Sequence, residues 1–135
     1  MEITLFLYAV GVWLVFLVLA IINGIIRNSV YAPKLSEHKG HVISSLIAVA
    51  YTLAITYLFV NSISSTVTLA DLLMVGAFWL TITVIFEFGF GHYIIGHSWS
   101  HLIADYNIIK GRLWSVVLLT TFAAPTFWGI ILGLN

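Results

Sequence analysis

Residues 3–26, ITLFLYAVGVWLVFLVLAIINGII, contain no charged side chain and stop at Arg27. About 20 mainly apolar residues suffice to carry a helix across a hydrocarbon core of roughly 30 Å. This run lacks the strict alternation of a barrel strand, and backbone groups in lipid must be satisfied within the segment. It therefore reads as a membrane-spanning helix. No basic segment or small-residue cleavage motif accompanies it, so it is expected to be retained rather than removed as a signal peptide.

Three further runs of the same kind follow, at about 42–60, 72–96 and 113–134, the third interrupted by one acidic residue, Glu87. The pattern predicts an all-α integral membrane four-helix bundle. A single domain covers residues 1–135, with spans at about 3–26, 42–60, 72–96 and 113–134. Composition points the same way. Of the 135 residues, 61% are hydrophobic and only 7% charged, with a mean hydropathy of +1.11; soluble domains carry about 25% charge. A water-facing surface cannot be built from so little, which excludes a soluble globule and a disordered chain. Five Lys+Arg against five Asp+Glu give no basic field for nucleic acid. Cysteine is absent, which removes disulfides, thiolate metal sites and thiol nucleophiles.

The bases set an expected orientation. Arg27, Lys34 and Lys39 lie between the first two runs, and Lys110 and Arg112 between the last two. The connection 61–70 has none. The positive-inside rule then makes the two basic connections cytoplasmic and places both termini on the outer side. In the second basic connection, Trp99, Leu102, Ile103, Tyr106 and Ile109 recur at helical spacing opposite Ser98, His101, Asp105 and Arg112. That spacing predicts a short amphipathic interfacial helix between spans three and four. Pro33 is expected to stop any helix running from Tyr31 to Leu35.

Within the spans, Ser45, Ala48, Thr52 and Thr56 share one face, a small and hydroxylated stripe of the kind that marks helix–helix contact. Pro125 frees the carbonyl of Thr121, with Thr120, Thr121 and Thr126 expected to bond in its place.

Glu87 is the residue that most invites a function. An ionisable group inside an apolar span costs several kcal/mol unless paired, protonated or wetted. Its face also carries Gly76, Thr83 and Gly91, so it should turn towards protein or a cavity. Arg27, with Asn23 one turn earlier, is the expected ion-pair partner. Alternatively Glu87, Arg27, Asn23, Thr83 and His92 form a substrate or ion site near the cytoplasmic mouth. All five histidines lie in or beside the basic connections. His97, His101 and Asp105 follow at i, i+4 and i+8, and His38 and His41 at i and i+3, spacings that suit a divalent transition metal. They resemble the histidine boxes of membrane di-iron desaturases and hydroxylases, which carry more histidines and paired ones.

Three function classes follow. The favoured one is a protomer of an oligomeric transporter or channel, since four short helices enclose little space. The second is a non-catalytic membrane subunit or assembly factor, and the third a metal-dependent membrane enzyme using the histidines. The expected partners are the lipid bilayer and a homo-oligomer or larger membrane complex.

Overall fold

The structure, a computed structural model, describes residues 3–90, Tyr93, Gly96 and residues 114–134. Four helices account for nearly all of them: α1 (Ile3–Ile26), α2 (Glu37–Ile63), α3 (Leu69–Gly89) and α4 (Trp114–Ile131). The interfacial helix expected over about 98–112 falls outside the described residues. The segments Ile3–Ile26, Val42–Ile63 and Leu69–Gly89 are long and apolar enough to cross a membrane.

The helix boundaries follow from their caps. α1 ends where the sequence placed it. α2 starts at Glu37, five residues before the expected 42, because Ser36 caps it: the Ser36 hydroxyl accepts from the Lys39 amide at 3.1 Å. The polar residues Glu37–Gly40 are thus its first turn and not a loop. α3 begins at Leu69, ahead of the expected 72. Thr68 and Asp71 form a reciprocal capping box, with Asp71 N–H to Thr68 Oγ1 at 3.3 Å and Thr68 N–H to Asp71 Oδ2 at 3.1 Å. Asp71, read as the boundary of the span, sits inside the first turn, where a carboxylate also meets the helix dipole favourably.

The fourth run departs further from expectation. Its helix has 18 residues, about 27 Å at 1.5 Å per residue, and falls short of the other three. Gly133 ends it at a positive φ of 84°. Leu134 N–H donates to the Gly129 carbonyl at 2.9 Å and Gly133 N–H to the Ile130 carbonyl at 3.1 Å, the paired bonds of a Schellman cap. Residues 132–134 therefore turn away from the axis instead of extending the span to 134.

Pro33 does not stop the chain where expected. α1 runs into a π-helical turn, Arg27–Tyr31, followed by one α-turn, Ala32–Lys34, and the break comes at Ser36. A proline in an α-helix clashes with the carbonyl four residues back. A π-turn stands directly ahead of Pro33, where a regular α-ladder would meet that clash.

Four helices pack by a few specific contacts. Trp79 is fully buried at the centre, edge-on to Phe16 (5.2 Å between rings, 82°) and beside Phe59 (5.7 Å). Its indole donates to the Ala9 carbonyl at 2.9 Å, and the Trp13 indole donates to Thr83 Oγ1 at 2.9 Å. The two bonds join positions that advance together along both helices, so α1 and α3 run parallel. The Asn23–Ser44 and Phe16–Tyr51 contacts advance in opposite senses, which makes α2 antiparallel to α1. α4 lies against α2 and α3. The Trp128 indole donates to the Leu53 carbonyl at 3.0 Å. Gly76 presses so closely on α4 that an added Cβ would fall on the Phe122 carbonyl oxygen.

The hydroxyl stripe of α2 behaves as the sequence predicts. Ser45, Ala48, Thr52 and Thr56 are all buried. The prediction for Pro125 fails. Thr120 and Thr121 hydroxyls donate to the carbonyls of Val116 (2.8 Å) and Val117 (2.9 Å), and Thr126 Oγ1 is buried without a hydrogen-bond partner. Helical side chains lean towards the N-terminus, so Thr120 and Thr121 reach one turn back and away from the carbonyl that Pro125 frees.

Candidate functional site

The parallel course of α1 and α3 brings their C-terminal ends to one end of the bundle, where the antiparallel α2 begins. Asn23, Arg27, Ser44, Thr83 and Glu87 belong to this half of the molecule. Two of the polar residues expected to line a site are occupied by neighbouring helices. Asn23 Nδ2 donates to the Ser44 carbonyl at 2.9 Å and ties the end of α1 to the start of α2. Thr83 Oγ1 accepts the Trp13 indole N–H, while Trp13 and Phe86 meet edge-on at 5.9 Å.

Each charge stands one helical turn beyond one of these ties: Arg27 beyond Asn23, and Glu87 beyond Thr83. Both side chains are half-buried, and neither lacks an interaction partner. Arg27 extends back along its own helix, its Nη2 lying 3.9 Å from where a Cβ on Gly24 would stand. That direction matches the backward lean of helical side chains and brings the guanidinium over the last turn of α1, where a cation is favoured by the helix dipole.

Both helices depart from α-geometry just beyond these residues. Arg27 opens the π-turn 27–31, and Phe90 and Tyr93 have π-helical geometry past the end of α3. The Phe90 N–H is shared between the carbonyls of Phe86 and Glu87, and the Phe86 and Phe90 rings stack at 5.4 Å. Widened turns re-aim carbonyls and side chains and recur at functional sites. At Gly89 no described atom lies within 4 Å of an added Cβ.

Of the stripe Gly76–Thr83–Glu87, the first two residues face different helices. Gly76 meets α4, whereas Thr83 meets α1. The expected metal ligands are largely beyond reach: His92, His97, His101 and Asp105 lie outside the described residues, and of His38 and His41 only the backbone, in the first turns of α2, is described. Among the described residues no group of three or more His, Cys, Asp or Glu comes together.

The sequence reading missed the tryptophans. Trp13, Trp79 and Trp128 each hold a neighbouring helix through an indole N–H. The available signal was their position: each lies well inside an apolar run, away from the membrane boundary where an interfacial belt would place it. Three apolar helices of spanning length make a membrane protein the reading of the chain as a whole. No protein-family model, curated protein or solved structure matches it.

Proposed function

We propose that the chain is a non-catalytic helical subunit or assembly factor of a membrane complex, the second of the three classes raised by the sequence. The observation that carries this reading is where its polar groups go. Asn23 and Thr83, expected at the mouth of a pathway, bond to the backbone of α2 and the indole of α1. The hydroxyl stripe of α2 is buried against the rest of the bundle. The axis itself is filled by Trp79, Leu72, Val75 and Val60, all with no exposed surface. Groups committed in this way stabilise one arrangement of helices and leave no continuous polar lining among the described residues.

The transporter reading retains one favourable observation, the half-buried Glu87 beside the widened turn that follows α3. Glu87→Gln separates the two. Under the subunit reading Glu87 holds structure through its partner, so removing its charge should lower resistance to unfolding in detergent. Liposomes containing the wild-type chain should pass protons and monovalent cations no faster than empty ones. Flux in the wild type, abolished by Glu87→Gln at unchanged stability, would overturn the subunit reading.

A further inference from the structure

We propose that residues 27–39 form a binding site for the headgroup of an anionic phospholipid. The sequence concentrates three of its five bases here, Arg27, Lys34 and Lys39, against one acidic residue, Glu37. This connection is ordered helical chain: the π-turn and the α-turn that follows continue the helical path from α1 to Lys34, and Ser36 starts α2 at once. The π-turn also packs against α2.

Its surface is mixed in a particular way. Lys34 and Lys39 are exposed, and so are Ile25, Ile26, Val30 and Leu35 on the same stretch of chain. An apolar residue exposed next to a lysine fits the level at which acyl chains meet headgroups, where a lysine stem lies in the apolar layer and its ammonium reaches the phosphate. A soluble acidic protein would leave Val30 and Leu35 uncovered by apolar contact; a lipid covers both parts of the surface. Ser36 already takes the Lys39 amide, so the binding rests on side-chain cations. Basic residues next to a span attract anionic lipid over a Debye length.

The test uses the full chain in nanodiscs of phosphatidylcholine alone and of an equal mixture with phosphatidylglycerol, reading the thermal midpoint. The mixture should raise the midpoint of the wild type. Lys34→Gln/Lys39→Gln should lose most of that rise while keeping the wild-type circular dichroism and midpoint in phosphatidylcholine, and Lys34→Arg/Lys39→Arg should keep the rise. Inorganic phosphate added to the phosphatidylcholine discs should not reproduce it. The proposal is overturned if the wild type shows no rise, if the Gln variant retains it, if the Arg variant loses it, or if free phosphate supplies it.

Discussion

Gly76→Ala tests the α3–α4 seam directly. An ideal Cβ at Gly76 lands on the Phe122 carbonyl oxygen and stands 3.1 Å from its carbon and 3.5 Å from its Cα. All three are backbone atoms, so no side-chain rotation makes room. To regain ordinary contact at about 3.5 Å the two helices must part by about 1.4 Å, and gaps of only 0.5–1 Å already forfeit roughly a quarter to a half of each van der Waals contact. Overpacking of this kind costs about 1–3 kcal/mol. Against it, replacing a mid-helix glycine returns about 1 kcal/mol of helix propensity. Gly11 on α1 provides the control, because a Cβ there meets nothing within 4 Å and only the propensity gain remains. Gly11→Ala should therefore raise stability while Gly76→Ala lowers it, a spread of about 1–3 kcal/mol between the two variants once the shared propensity gain cancels. Reversible unfolding by dodecyl sulfate in mixed micelles, followed by tryptophan emission, reads both. If Gly76→Ala matched Gly11→Ala, the close approach of α3 to the Phe122 carbonyl would be refuted.

Two further substitutions probe the polar groups inside the bundle. Thr83→Val keeps the shape of the side chain but strips the Trp13 indole of its acceptor; an orphaned buried donor costs about 1–3 kcal/mol, measurable in the same titration, and a neutral result would show that the indole is satisfied otherwise. Thr56→Val should be neutral or raise stability by up to about 1 kcal/mol, since its fully buried hydroxyl has no hydrogen-bond partner to lose, and a clear loss of stability would mean that the hydroxyl holds a bonded group.

Much of the architecture was legible because apolar length in lipid allows few solutions. The run 3–26 became α1 without a shift, and the stripe Ser45–Thr56 became buried surface because small residues let backbones approach. Boundaries were harder. They depended on residues that composition counts as loop: Ser36 and Thr68 cap helices several residues ahead of the apolar runs, and Gly133 ends α4 before its apolar run is exhausted. Hydropathy averages over windows, whereas a cap is decided by one hydroxyl or one positive φ.

The candidate site was less legible for a related reason. Residue type alone does not distinguish a polar group that lines a path from one that joins helices. A threonine or asparagine facing inward has the same sequence signature in both cases, and the partner decides. For Thr83 that partner is an indole seventy residues earlier in the chain; for Asn23 it is a main-chain carbonyl, which no side-chain pattern advertises. The tryptophans were ambiguous in the opposite direction. Their size suggests a lipid-facing or partner-facing surface, yet an indole N–H within an apolar bundle must find an acceptor. Helical carbonyls keep a second lone pair after accepting their own backbone bond, and Ala9 and Leu53 offer theirs to Trp79 and Trp128. A tryptophan far from the membrane boundary is thus better read as a contact between helices than as a belt residue. Applied to Trp13, Trp79 and Trp128, that rule accounts for the α1–α3 and α2–α4 ties.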